Sequence, residues 1–139
     1  MLDQRTAPYG ALLLRVVLGA LFLTHACIKI FVFTPAGTAQ FFESIGLPAF
    51  LAYLTILVEL VGGLALILGI YVRWAALATC VILLGAIFTV HIHAGFMFTN
   101  PNGGWEYPGL WAVALLAQAL LGEGAYALRP TTRQVAPAI

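Results

Sequence analysis

Residues 48–71, PAFLAYLTILVELVGGLALILGIY, form an apolar run whose only charged side chain is that of Glu59. A helix of about 20 apolar residues, rising about 1.5 Å per residue, crosses the roughly 30 Å hydrocarbon core of a bilayer. An ionisable group inside that core is unfavourable by a few kcal/mol or more unless a partner or a water-filled cavity compensates it. The run therefore predicts a membrane-spanning helix, and Glu59 is the first candidate functional residue.

The rest of the chain has the same character. Of its 139 residues, 63% are hydrophobic and 8% are charged, and the mean hydropathy is +1.03, values typical of a membrane protein. Four segments are long and apolar enough to span a bilayer: 11–33, 49–71, 74–98 and 107–128. Their continuous apolar character favours helices over barrel strands, which alternate in polarity. We predict an all-α fold, with residues 1–139 forming a single transmembrane domain, an integral membrane four-helix bundle.

Basic residues predict the orientation of this bundle. Five of the six Lys and Arg residues lie near the N-terminus, in the link between the second and third spans, or near the C-terminus: Arg5, Arg15, Arg73, Arg129 and Arg133. The other two connections contain Glu43 and Glu106 and no Lys or Arg. The positive-inside rule then places both termini in the cytoplasm. The first span is too long for the apolar part of a signal peptide, so we expect it to stay in the mature protein.

One polar side chain from each span is predicted to lie at a similar depth, roughly 10 to 16 Å from the outer end. These side chains are His25, Glu59, His91 and Gln118. Lys29 lies one turn beyond His25 on the same helix face. Gly62 and Gly63 lie close to Glu59 and would allow a neighbouring helix to approach closely. We predict that Glu59 contacts His25 or Lys29 across the interface between the first two spans.

Two interpretations of these polar residues stay open. A polar layer between facing helices can form a ligand site, but a buried pair that includes Glu59 can also serve only to lock helix packing. Gln118 is more typical of a hydrogen bond between helices. Arg15 lies about 6 Å from the cytoplasmic end of its span, and such a side chain can simply extend to the headgroups.

Neither the histidine pair nor the cysteines predict a metal or redox centre. His91 and His93 are two residues apart, so on a helix they point about 200° apart and cannot bind one ion. We expect His91 to face the bundle and His93 the headgroups. Cys27 and Cys80 are predicted at opposite depths, too far apart for a disulfide. No metal site is therefore predicted.

The order and spacing of these residues resemble the DoxX family of small bacterial membrane proteins with four helices. The matching motifs are Leu14-Arg15 with Gly19 and Phe22, His25-Ala26-x-x-Lys29, Glu59-Leu60-x-Gly62-Gly63, His91-x-x-x-Gly95-Phe96 and Gly104-x-Glu106-Tyr107. The family usually has Gly after the first His, where this chain has Ala26. The resemblance covers about residues 8–130 and implies a multi-pass protein of the bacterial cytoplasmic (inner) membrane.

The family is similar to the DoxD-type subunit of archaeal thiosulfate:quinone oxidoreductase. The resemblance therefore implies a membrane subunit of an oxidoreductase complex that binds quinone or a similar hydrophobic ligand in the polar layer. The candidate ligand-binding residues are His25, Lys29, Glu59, His91, Arg15 and Gln118. The sequence has no haem, flavin or cysteine-cluster motif, so no intrinsic cofactor is expected and electrons would come from a redox partner subunit. Whether the chain is itself an enzyme stays open.

Two alternatives remain beside this function. The chain could be a non-enzymatic binder or carrier of a lipid or another small hydrophobic molecule, or a membrane scaffold for a partner protein. The lipid bilayer is its expected environment, and a homo-oligomer is a further open arrangement. No nucleic-acid partner is expected.

Overall fold

A computed structural model of the protein describes residues 3–129. It contains five α-helices and, among the described residues, no strand. These are α1 Ala7–Cys27, α2 Pro35–Ser44, α3 Phe50–Leu68, α4 Val72–Thr89 and α5 Glu106–Leu121. The predicted all-α fold is confirmed. Arg133, one of the basic residues that predict the orientation, lies outside the described residues.

Three of the helical stretches are long and apolar enough to cross a membrane by length and composition. They are Ala7–Val32, in which a π-helical turn extends α1, then α3 and α4. The fourth apolar helix, α5, has 16 residues and ends at Leu121 rather than at residue 128. Gly122 and Gly124 follow it with φ of +85° and +69°. This left-handed region suits glycine and cannot continue a right-handed helix.

The third predicted span also ends earlier than expected. Its α-helix stops at Thr89, and a 3-10 turn, His91–Ala94, replaces the predicted continuation to residue 98. The loop that follows folds back on itself, since the backbone N–H of Trp105 donates to the carbonyl oxygen of Gly95 and the N–H of Glu106 to that of Phe96. These hydrogen bonds take the place of those that a longer helix would have made.

A short helix that the sequence analysis missed, α2, lies between the first two spans. Its first residue is Pro35, and the side chain of Thr34 before it accepts a hydrogen bond from the backbone N–H of Gly37 at 3.1 Å. A threonine cap followed by proline is a typical start of a helix. The segment was predicted only as a loop, although this Thr-Pro pair was a signal for its N-terminus.

The helices pack closely where glycines lie on their contacting faces. Gly19 of α1 faces Gly63 of α3, and Gly62 of α3 faces Thr79 of α4. The prediction that small residues near Glu59 allow close approach is confirmed. α1 and α3 contact each other along much of their length, whereas α1 and α5 touch far less. Space is therefore left on the α5 side of α1.

Candidate ligand cavity

A cavity of about 960 Å³ lies between α1, α4 and α5, with α2 and α3 completing its wall. Its volume is at the upper end of the range for pockets that hold small molecules, about 300 to 1,000 Å³. The wall is mainly apolar and aromatic, with residues such as Leu18, Phe22, Phe42 and Trp111. Four of the six predicted site residues also line it: His25, Lys29, Glu59 and His91. The structure thus brings these four side chains to one space.

Lys29 and Glu59 form an ion pair in this wall. The Nζ of Lys29 lies 2.8 Å from Oε1 and 2.9 Å from Oε2 of Glu59. The side chain of Glu59 is 7% exposed and that of Lys29 19%. The prediction that Glu59 contacts His25 or Lys29 is confirmed, and the partner is Lys29. A carboxylate at this depth would be costly alone, and the ammonium compensates its charge.

The π-helical turn Ile28–Val32 carries the lysine of this pair. Directly after this turn, the backbone N–H of Phe33 donates to the carbonyl oxygen of Ile28 at 3.0 Å, five residues back. Such turns shift the side chains that follow relative to an α-helix and occur frequently at functional sites. The hydroxyl of Thr38 in α2 donates to the carbonyl oxygen of Thr34 at 2.9 Å and makes a longer contact, of 3.4 Å, with that of Lys29. The short helix α2 is thus tied to the turn that presents Lys29.

His25 lines the cavity one turn before Lys29. Its Nδ1 lies 2.9 Å from the carbonyl oxygen of Leu21, and its ring centroid lies 5.1 Å from that of Trp111. The ring of Trp111 in turn packs against Phe22 at 4.6 Å. The indole Nε1 of Trp111 is buried and has no hydrogen-bond partner within the described part of the chain. The aromatic contacts hold the imidazole at the cavity wall.

His91 reaches the cavity from a different local structure than predicted. It begins the 3-10 turn after α4, and its Nδ1 lies 2.8 Å from the carbonyl oxygen of Gly103 in the following loop. The predicted distinction between the two histidines is confirmed in that His91 lines the cavity and His93 does not. The reason is not helical spacing, because the α-helix has already ended; the folded-back loop orients His91.

Arg15 does not line the cavity and does not extend to the headgroups, since it is 1% exposed. Its guanidinium donates to the carbonyl oxygens of Leu66 and Ile67 at the end of α3. It also donates to those of Glu123 and Ala125 after α5, at 2.8 and 2.9 Å. Because the last carbonyls of a helix have no partner within it, this one side chain joins α1 to the ends of α3 and α5. Its contacts are structural.

Gln118 also lies away from the cavity wall. It is fully buried, and its Nε2 donates to the carbonyl oxygen of Gly122 at 2.7 Å. The interhelical hydrogen bond expected for Gln118 is therefore replaced by one that closes the end of its own helix. Gln118 was predicted at the depth of the cavity residues, but depth alone does not determine the direction of a side chain.

The structure adds one residue that the sequence analysis did not select. Trp111 was not among the candidate site residues, yet it lies in the cavity wall beside His25. Among the described residues, no group of three or more His, Cys, Asp or Glu side chains could hold a metal ion. Cys27 is exposed, Cys80 is buried and both are free.

Comparison with known proteins places this architecture in a family. The model of the DoxX family matches residues 10–92. The chain is 39% identical over 127 residues to the protein named "Putative oxidoreductase CatD" of Bacillus subtilis (strain 168), which covers 91% of this chain and 90% of that protein. It is 39% identical over 88 residues to "Inner membrane protein YqjF" of Escherichia coli (strain K12), covering 63% of this chain and 66% of that protein.

A third relative is more distant. "Uncharacterized membrane protein Rv3486" of Mycobacterium tuberculosis (strain ATCC 25618 / H37Rv) is 31% identical over 113 residues, which is 80% of this chain and 66% of that protein. No solved structure matches the chain. The names of these relatives and the apolar helices agree with the predicted location in the bacterial cytoplasmic membrane. The protein is an integral membrane protein of the DoxX family.

Proposed function

We propose that the cavity binds a quinone or a similar hydrophobic ring compound, and that the protein serves as the membrane subunit of a quinone-linked oxidoreductase. The observation that carries this proposal is the cavity itself: about 960 Å³, apolar for most of its wall, with His25, Lys29, Glu59 and His91 around it. Ligand pockets typically combine such apolar walls with a few polar groups that fix orientation.

The wall suits a ring with polar oxygens and an apolar tail. Phe22, Phe42 and Trp111 offer aromatic and apolar surface to a ring. The Lys29 ammonium has three hydrogens, and two are directed to the Glu59 carboxylate, which leaves one for a ligand oxygen. Polar donors and acceptors at one part of an apolar cavity would hold the head of such a molecule.

A membrane-soluble ligand also needs a route from the bilayer. Val17 and Leu21 of α1 and Leu110 of α5 line the cavity and are exposed on the helix surface. These helices contact each other sparsely, so the gap between them is the proposed entrance for the ligand. A tail could remain in this gap while the head reaches the polar residues.

The redox part of the proposal rests on the relative whose name includes an oxidoreductase. The cavity residues bind and orient the ligand, and their titratable groups can exchange protons with it. Electrons would be supplied by a partner subunit. A quinone bound here would provide the two-electron chemistry, which this chain's side chains do not perform.

Co-purified quinone provides the test. The protein would be purified in a mild detergent, extracted, and its quinone content measured by mass spectrometry per mole of protein. Glu59→Gln removes the carboxylate that holds the Lys29 ammonium in the cavity wall, so the hydrogen bond from this ammonium to a quinone oxygen should be lost. Because hydrogen bonds to charged groups contribute about 1.5 to 3 kcal/mol, the retained quinone should fall about tenfold or more.

Glu43→Gln is the matched control, because Glu43 is exposed and outside the cavity wall. It should retain quinone like the wild type. If the extract contains phospholipid at one molecule per protein and no quinone, the alternative of a lipid binder is favoured. If neither is retained and Glu59→Gln only lowers the melting temperature, the polar residues serve packing, as in a scaffold for a partner protein.

A further inference from the structure

The two cavity histidines are held in the same tautomer by the backbone. Nδ1 of His25 is hydrogen-bonded to the carbonyl oxygen of Leu21, and Nδ1 of His91 to that of Gly103. A carbonyl oxygen can only accept, so each Nδ1 must carry the hydrogen. In a neutral imidazole the other nitrogen, Nε2, then has a lone pair and no hydrogen. Each ring, in its neutral form, therefore presents an acceptor at Nε2.

Neither acceptor has a partner in the part of the chain that the structure describes. Within residues 3–129, the hydrogen bonds of His25 and His91 are those made through Nδ1. Both residues line the cavity, so a ligand there is the available partner for Nε2. An acceptor requires a ligand that donates.

We propose, on the basis of the function proposed above, that the cavity selects the hydroxyl-bearing form of its ring ligand, a hydroquinone, over the carbonyl-bearing quinone. The Nε2 atoms of His25 and His91 accept hydrogen bonds from the ligand hydroxyls. A quinone oxygen has no hydrogen, so its lone pair would face the lone pair of Nε2, and the two atoms would repel each other. The histidines thus determine which redox form is bound.

The other polar groups of the wall do not make this distinction. Lys29 retains one ammonium hydrogen that can donate to a quinone oxygen, while the carboxylate of Glu59 has free lone pairs that can accept from a hydroxyl. The hydroxyl of Tyr107, also in the wall, can donate or accept, whereas that of Thr38 already donates its hydrogen to backbone carbonyls. The indole N–H of Trp111 can donate to the oxygen of either form, because a hydroxyl oxygen also accepts. The ion pair, Tyr107 and Trp111 serve both forms, so the selectivity is assigned to the two imidazoles.

Three ligands with the same ring distinguish the effect of hydroxyl donation on affinity from the effect of ligand shape. Binding to the detergent-solubilised protein would be measured by calorimetry under argon at pH 8 for a short-chain benzohydroquinone, the matching benzoquinone and the hydroquinone dimethyl ether. A net hydrogen bond changes affinity about 2- to 12-fold. We expect the hydroquinone to bind about tenfold more tightly than the quinone. The ether, which has no O–H, should bind no better than the quinone.

Substitutions of the two cavity histidines test whether these residues cause the preference for hydroquinone. His25→Phe and His91→Phe should each reduce the ratio of hydroquinone to quinone affinity, because each removes one Nε2 acceptor. His93→Phe is the matched control, since His93 lies two residues from His91 and outside the wall. It should keep the full preference. A melting curve for each variant identifies any that does not fold. The comparison of the three ligands on the wild-type protein tests the inference even if a variant fails to fold.

The outcomes separate this inference from the proposed function. Equal affinity for hydroquinone, quinone and ether, or tighter binding of the quinone, would overturn the inference and leave a ring-binding cavity in place. A preference that survives both histidine variants would also overturn it. Failure of all three ligands to bind would overturn the proposed function and the inference together.

Discussion

Gly19 of α1 and Gly63 of α3 lie so close that a Cβ atom on Gly19 would be 2.6 Å from the carbonyl oxygen of Gly63. The reciprocal distance, from a Cβ on Gly63 to the carbonyl oxygen of Gly19, would be 2.9 Å. Real Cβ atoms essentially never approach so closely, and the obstructing atoms belong to the backbone. This contact sets the separation of the two helices that carry Lys29 and Glu59.

We therefore expect Gly19→Ala to destabilise the bundle. The added methyl group would force α1 and α3 apart, and overpacking of this kind costs about 1 to 3 kcal/mol. The thermal midpoint in detergent should fall. Gly85→Ala in α4 is the control, because nothing lies within 4 Å of a Cβ at Gly85; it should be neutral or stabilising, since alanine favours a helix over glycine. An equal effect of both substitutions would contradict the role of the glycine contact.

The Lys29–Glu59 pair predicts strong non-additivity. Lys29→Met leaves a nearly buried carboxylate without its partner, and Glu59→Gln leaves the ammonium without a counter-charge. Each should lower the free energy of unfolding by about 1 to 3 kcal/mol, less than a fully buried pair would, because Lys29 is partly exposed. The double variant should recover much of the loss. Chemical unfolding in mixed micelles, carried out separately for the wild type, the two single variants and the double variant, measures the coupling energy between the two side chains. Additive losses would show that the two charges do not interact.

Arg15 predicts a structural phenotype rather than a binding one. Removing its guanidinium in Arg15→Met takes a donor from four backbone carbonyls, of which that of Leu66 keeps a longer bond from the N–H of Gly69 at 3.3 Å. Each buried group left unpaired costs about 1 to 3 kcal/mol. Arg15→Lys should rescue little, because an ammonium lacks the planar fork that bonds several carbonyls at once. Expression level and melting temperature are the measurements. A well-folded Arg15→Met protein that has lost only its ligand would place Arg15 in the site after all.

The orientation is testable by cysteine labelling in intact cells. In a background of Cys27→Ala and Cys80→Ala, Glu43→Cys and Asn102→Cys should react with an impermeant maleimide, whereas Asp3→Cys should react only after lysis. All three positions are exposed, so access depends on the side of the membrane. Labelling of Asp3→Cys in intact cells would contradict a cytoplasmic N-terminus.

Several elements of the fold and site could be predicted from residue order, and others could not. The apolar runs indicated the helices, and the cost of an isolated carboxylate indicated a partner for Glu59. The Thr34-Pro35 start of α2 was visible but was not used. The early end of α4 at Thr89 was not visible, because apolar residues continue beyond it. Only the hydrogen bonds of the loop after Gly95 decide where the helix stops.

The number of apolar helices, their approximate positions and the need for a charge partner inside an apolar environment follow from the order of residues along the chain. The direction in which each polar side chain points, and the partner that it contacts, depend on how the helices pack. Arg15, Gln118 and His25 are all polar residues within apolar helices, yet only His25 lines the cavity, while the other two bond to backbone carbonyls at helix ends. The physical reason is that a buried polar group goes to whichever partner the packing brings within hydrogen-bond distance, and no single helix contains that information.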